Sequence, residues 1–469
     1  MMMSFQPINI CTKEQRKEAQ LSLYVAVHTS IASVDHHLSD LHKDTPFNIS
    51  LHRTKCTNII NNVIGLYFYE ALVKDIGDGY YSLLIDESTD ITVNKMLGIA
   101  IRYYSVERKK IVSTFLRLIH IEDGTARSIV NAIKKLLIDA KLQLIKMQGI
   151  GTDNASTMVG VNSGVYAQLK KDVPHLILIR CVCHSLQLAI SKATENTLPR
   201  NIEFLIKETY NWFANSSIRQ LNYAQVYQTL NNGQEPLKIL RVAETRWLSI
   251  EPAVKRILDQ WTELKAHFEI SRVNDNCYTA ELLYSMYRDK KNFIYLSFLY
   301  PILSMVQKTN KNFESKVADP TKLLSDIKRL YSTVANKIVL STARIDIYEQ
   351  DIEKYLDPSP ALGYAFDSSC TENEIVGQEK ENLKSRCVSF LIALVKELKN
   401  RLPDNIKILE RISAFSVTKC LKANKLPITD ITLYYGKKDA ITIAQIELEW
   451  ENIHHVIDGK KHKTRKNFG

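Results

Sequence analysis

Two aspartates, Asp86 and Asp153, each close a short apolar run. The first run is SLLIDESTD, Ser82 to Asp90; the second is GIGTDNASTM, Gly149 to Met158. Carboxylates at the ends of adjacent parallel strands can share a hard divalent cation. Mg²⁺ and Mn²⁺ take oxygen ligands and leave positions for water and phosphate. Two such ions about 4 Å apart clamp the attacking and leaving oxygens of an in-line phosphoryl displacement. Each residue also has a plainer reading. Asp86 alone is a solvated strand-end acid. Asp153, beside Asn154, Ser156 and Thr157, alone is an Asx turn or helix cap. Taken as a pair in one sheet, they favour the metal reading, with Mg²⁺ or Mn²⁺ held weakly. Glu87 and Asp90 read as solvent-facing or capping residues.

The pair meets only if particular elements place it. Tyr80 to Ile85 is a nearly continuous apolar run, which predicts a central strand covered on both faces. Leu97–Tyr104 and Lys110–Ile121 are the next two strands, and their short connections make the three antiparallel neighbours. Thr125–Ala140 is an amphipathic helix with Ile129, Ile133, Leu136, Leu137 and Ala140 on one face. Gln148–Thr152 is strand four, returned by that helix as a parallel partner of strand one. A helix over Val161–Lys171 and a fifth strand over His175–Cys183 complete βββαβαβ. The expected strand order is 3-2-1-4-5, and a helix follows from Ser185 to Lys192.

Four regions are expected. Residues 1–78 are helical. Residues 79–250 hold the sheet domain, and 251–430 form a large all-helical region. Its stripes are Leu299, Ile302, Leu303, Val306, Asn310, Phe313, Val317 and Leu383, Cys387, Phe390, Leu391, Leu394, Val395, Leu398. Asp357–Asn382, with Pro358 and Pro360, reads as a linker. Residues 431–469 hold a short helix ending near Trp450 and a disordered basic tail.

Composition sets the outer limits. Of 469 residues, 45% are hydrophobic and 24% charged, ordinary for a globular protein. Gly (15) and Pro (12) are scarce, which favours long helices over a loop-rich β fold. Of the +11 net charge, Lys460, Lys461, Lys463, Arg465 and Lys466 supply five, so the body is only mildly basic. That balance permits a nucleic-acid partner without requiring one. The eight cysteines make no disulfide framework and suit a reducing compartment, nuclear or cytosolic. The apolar run Phe293–Val306 is too short to span a bilayer, and no membrane association is expected.

Two further groups carry possible chemistry. Cys181, Cys183 and His184 close the fifth strand. No second Cys/His pair stands at usable spacing, so a closed zinc site is not expected. Arg246 and Trp247 could grip a phosphate and stack on an unpaired base. The plainer alternative makes Trp247 an anchor for a helix.

These blocks in this order resemble the hAT superfamily of DNA transposases, in particular its host-domesticated zinc-finger and BED-finger relatives. The residues that carry the resemblance are RTKC (Arg53–Cys56), SLLIDESTD, GIGTDNASTMVG, the Cys181-x-x-His184 motif in CVCHSLQLA, and ETRWLS. The resemblance implies an RNase H-like catalytic domain interrupted by a helical insertion. It also implies a DDE carboxylate triad that binds Mg²⁺ or Mn²⁺ and cuts and joins DNA. Asp86 and Asp153 match the first two acids. Cys181, His184, Arg246 and Trp247 match positions that lie near the active site or on the displaced DNA end. No zinc finger precedes residue 20. The usual dimerisation block, which brings the third acid, is not found: Glu410–Ser416 is superficially similar but wrongly spaced, and is expected to be a helix end. The resulting expectation is a transposase-derived, DNA-associated protein that is no longer catalytic. An active metal-dependent transposase or nuclease and a protein-interaction scaffold are the alternatives.

Overall fold

A computed structural model of the chain describes residues 11–35, 49–89, 94–240, 247–275, 277–315, 319–343, 351–422, 424–425, 427–434 and 439–465. Asp90, Arg246 and Val317 lie outside the described residues. The chain divides into two compact units, Met1–Ile179 and Arg180–Gly469. Residues 180–250, grouped with the sheet on sequence, therefore fall in the second unit.

The first unit opens with α1 (Lys13–His28), whose Thr12 and Gln15 form a reciprocal capping box. α1 packs on α2 (Arg53–Ile59) through Val25 and Cys56, with Val34 and Leu51 closing a small core. Glu18 is buried in that contact and holds Lys55 at 2.6 Å. A π-helical turn, Ile60–Ile64, joins α2 to α3 (Gly65–Ile76). The helical character expected of this region holds for its described parts.

Five strands follow: β1 (Tyr81–Thr89), β2 (Lys95–Ser105), β3 (Lys110–Ile121), β4 (Met147–Thr152) and β5 (Ile177–Arg180). Their order is β3-β2-β1-β4-β5, as the connection lengths predict. β1 and β2 are antiparallel, as are β2 and β3, whereas β1 and β4 are parallel. α4 (Ala126–Asp139) is the crossover between β3 and β4, and Thr125 caps it by accepting from the Ser128 N–H. Ile129, Ile133 and Leu137 of α4 share one core with Leu83, Ile99, Ile101 and Met147. Each such side chain, fully buried, contributes about 1.5–3 kcal/mol. α5 (Val165–Asp172) adds Val165 and Leu169 to the same core.

The double-sided cover expected for β1 is not what forms. Burial alternates: Tyr81, Leu83 and Ile85 are buried, while Leu84 stays 41% exposed. The period of two along a strand sends Ser82, Leu84 and Asp86 to the other face. There Leu84 is accommodated by Gly151 of β4, where an added Cβ would lie 3.0 Å from the Leu84 Cδ2. A side chain at Gly151 would press on the end of Leu84.

Apart from Arg180 of β5 and an isolated bridge between Val339 and Leu356, the regular structure described in the second unit is helical. Its longest elements include α6 (Val182–Thr197), α7 (Asn201–Ala214), α8 (Ser217–Leu230), α9 (Trp247–Asp259), α10 (Trp261–Asn274), α11 (Tyr278–Arg288) and α12 (Lys290–Glu314). The later ones are α13 (Leu323–Ala335), α14 (Tyr364–Glu372), α15 (Gly377–Arg401), α16 (Pro403–Ser413) and α17 (Ala440–Arg465). The seven-residue stripe expected from Leu383 to Leu398 is the buried face of α15. Two expectations fail. Asp357–Asn382 is not a linker: it holds α14 and the start of α15, because Phe366, Ser369 and Cys370 recur at helical spacing and are buried. The last helix does not stop near Trp450 but runs to Arg465. Trp450 instead anchors it midway, on Cys420, Ile428 and Ile431.

Candidate carboxylate site

Asp86 lies in the second half of β1, and Asp153 is the first residue after β4. The parallel pairing aligns Ser82 with Gly149, Leu83 with Ile150 and Leu84 with Gly151. Carried two steps further, the same register sets Asp86 level with Asp153. Asp153 thus sits at the carboxyl end of β4, where sites gather in sheets of this kind, while β1 runs on past Asp86 to Thr89. Across β1 on its other side, Asp86 pairs with Gly98 of β2. A glycine there leaves the sheet face beside the carboxylate clear of a cross-strand side chain.

Asp86 is exposed and Asp153 half-buried. Asp153 also makes the Asx turn of its plainer reading: its Oδ1 accepts from the Ala155 N–H at 3.1 Å. That bond fixes the carboxylate's orientation at the start of the single helical turn Ser156–Val159, whose Met158 and Val159 are buried. The neighbouring acids do other work. Glu87 pairs with Lys95 at 3.2 Å. Asp123 accepts from the Thr125 N–H and hydroxyl. Its carboxyl is held below the usual range by hydrogen bonds from Thr125 and Ser128, with Lys95 nearby. As a donor set for Mg²⁺ or Mn²⁺, Asp86 and Asp153 supply hard oxygen ligands of the right kind. Among the described residues, no group of three or more His, Cys, Asp or Glu side chains is arranged to hold a metal ion.

The Cys/His motif is placed differently from its sequence reading. Cys181, Cys183 and His184 do not close β5, which stops at Arg180; Cys181 is the N-cap residue of α6, and the other two lie in its first turn. HLILIRCVC alternates like a strand. From Val182, however, the buried set Val182, Ser185, Leu186, Ala189, Ile190 and Ala193 takes over at helical spacing. Cys181 and Cys183 share a hydrogen bond, which with burial pushes the Cys183 thiol up. A raised thiol is a poor nucleophile. The Cys183 Sγ also points to the Asn310 carbonyl at 3.9 Å. Of the remaining candidates, Trp247 opens α9, and its side chain lies outside the described residues, as Arg246 does entirely.

Residues 17–164 match a family model described as the ZMYM1/FAM200 RNase-like domain, DUF4371. The matched segment begins in α1 and ends just before α5, so it contains both aspartates. An RNase-like α/β sheet with flanking helices, joined to a large helical region, is the fold of this chain. Among the described residues, no helix is long and apolar enough to cross a membrane.

Proposed function

We propose that this chain is a transposase-derived, RNase H-like protein of the hAT kind, working on DNA in the nucleus or cytosol and no longer performing strand transfer. What supports the reading above all is the β1/β4 pairing, whose last aligned pair, Leu84 and Gly151, stands two residues before each aspartate inside the segment that matches an RNase-like domain. In this reading Asp86 and Asp153 hold one Mg²⁺ or Mn²⁺ weakly. Such an ion, when bound, supplies Lewis-acid polarisation of a phosphate oxygen. Asp153, whose carboxylate accepts from the Ala155 N–H, and Asp86, paired with Gly98, would be the residues that hold it. A third acid would be needed to complete the shell and position a second ion. The sequence offers none in a matching motif, and the Glu410–Ser416 segment lies at the end of helix α16 and just beyond. Arg246 and Trp247 are assigned to phosphate and base contacts, and Cys181 and His184 to the same nucleic-acid-binding surface.

Mn²⁺ titration of the intact chain and of Asp86→Ala and Asp153→Ala tests the site; undiminished binding in both variants overturns it. Incubation with Mn²⁺ and DNA carrying terminal inverted repeats tests the loss of catalysis. Strand-transfer products that vanish in Asp153→Ala would establish an active enzyme with a third acid elsewhere. A DNA mobility shift that weakens steeply with salt, and survives removal of residues 460–469, is expected of DNA binding by the body.

A further inference from the structure

β3 is an edge strand. β2 occupies one side of it, and among the described residues no strand pairs with the other. It is also long and greasy for an edge: Ile111 is 68% exposed, Phe115 64% and Leu118 51%. Natural edges of this length are usually shortened, charged inward or covered, because a row of unpaired main-chain groups invites another strand. Across from β3, helix α3 turns Leu66 and Phe68 outward. Between the two elements runs a groove of about 980 Å³, lined by Leu66, Phe68 and Leu72 on one wall and Thr114, Phe115 and Leu118 on the other. Exposed apolar surface of this contiguity marks an interaction site.

Charge says what kind of strand fits. β3 carries Lys110, Arg117 and His120 and no carboxylate. Pairing two copies through β3 would join two strands that each carry Lys110 and Arg117 and no carboxylate, so it would gather cations with nothing to offset them, whereas an acidic strand supplies the offset. Arg108 and Arg117 also line the groove. Its acids are Glu107 and Asp75, the latter kept ionised by the Tyr103 and Ser105 hydroxyls at 2.6 and 2.8 Å, so the groove lining is balanced and the net positive charge lies along β3 itself, at Lys110 and Arg117. A polynucleotide would match the cations but not the alternating donors and acceptors of a free strand edge.

We propose that β3 accepts an acidic, extended peptide from a partner protein as a sixth strand of the sheet. Main-chain bonds to the outer edge of β3 supply affinity. Alternate apolar side chains enter the groove beside Phe68 and Phe115, and carboxylates meet Lys110, Arg108 and Arg117. The surface lies along the edge strand, two strands from Asp86.

The probe is a fluorescein-labelled peptide of about ten residues alternating glutamate with valine and phenylalanine, added to the full chain and followed by anisotropy. Binding is expected to weaken by about tenfold or more in Phe115→Glu and in Arg117→Glu. Both side chains are exposed, so unchanged melting of the variants shows that the fold survives. A peptide N-methylated at alternate amides, unable to donate to the ladder, should bind far less, as should one with lysine for glutamate. Equal binding of the N-methylated or lysine peptide, failure of the acidic peptide to bind, or indifference to Phe115→Glu each overturns the proposal. So does a single-stranded oligonucleotide that displaces the peptide and is itself lost with Phe115→Glu.

Discussion

In the sheet unit, Asp86 lies in the second half of β1 and Asp153 just after β4; the Asp153 carboxylate accepts from the Ala155 N–H, and neither aspartate belongs to the core. In the helical unit the notable polar groups are buried and bonded to one another. The Trp212 Nε1–H donates to the His267 Nε2 at 3.0 Å, the Tyr223 hydroxyl to Gln260 at 2.9 Å, and the Tyr287 hydroxyl meets Thr209 at 2.9 Å. Around them Phe268 stacks on Tyr287, with ring centroids 5.3 Å apart, and meets Trp212 edge-on. The difference separates two reasons for keeping a polar residue. A buried, bonded group is required by the fold, since stripping its partner leaves an unsatisfied atom in the core. A carboxylate pair outside the core, one acid exposed and the other half-buried, is more readily understood as a site.

Four measurements can break or sharpen that contrast. The largest effect is expected from Phe268→Ala, which empties the centre of the aromatic cluster and should cost about 3–5 kcal/mol in denaturant unfolding. A loss below about 1 kcal/mol would mean that the helical core is not organised there.

Acid comes next. Burial, and then the nearby Arg219, push His267 down to about 4. The unfolded chain takes up this proton near pH 6.5 and the folded chain only near 4, so stability is full above pH 6.5 and falls as the pH drops through that window. The limit of the loss is about 3 kcal/mol. The slope should flatten in His267→Gln, whose side-chain oxygen can still accept from Trp212; an unchanged slope assigns the acid sensitivity to other groups.

Tyr287→Phe removes one buried hydrogen bond. Thr209 keeps its bond to the Leu205 carbonyl at 2.7 Å, so the cost should be only about 1 kcal/mol. Smallest of all, Asp86→Ala should shift stability by no more than about 0.5 kcal/mol in either direction while diminishing Mn²⁺ binding. A large destabilisation would return Asp86 to the class of structural residues.

The sheet was legible because its signals are local. Short polar joints fix β1–β2–β3 as neighbours, and Asp123-Gly124-Thr125 announces the crossover helix. Strand β3 was bounded to the residue, Lys110–Ile121. The misreadings share a cause: local pattern yielding to distant packing. HLILIRCVC alternates, but Val182 and Leu186 belong to the helical core, so the strand is cut at Arg180. Tyr80–Ile85 lacks polar residues apart from Ser82, yet one face of it stays open at Leu84. The prolines at 358 and 360 suggested a linker, and Phe366 made a helix just beyond them. At the site, both aspartates could be read from the ends of apolar runs and a resemblance, although β1 continues past Asp86 to Thr89. The Gly98 opposite Asp86 was missed; its signal was a lone glycine inside the apolar run LGIAIRYY. The groove along β3 was also missed, since exposure of Phe115 and Phe68 is a property of what fails to cover them and leaves no mark in either segment.

The parallel register between β1 and β4 also has a consequence for time. The hairpins β1–β2 and β2–β3 close over short joints, whereas Leu84 meets Gly151 only after the whole of β2, β3 and α4 has been threaded between them. Closing a long loop costs more chain entropy and is slower than closing a hairpin. The carboxylate pair should therefore assemble last, on a meander already formed. A nascent chain that has not yet delivered Met147–Thr152 holds Asp86 as a solitary acid, with no divalent site to occupy. Pulse-labelled amide exchange during refolding should show β1–β2 amides protected before those of Gly149–Gly151; simultaneous protection would mean that sheet and site form in one step.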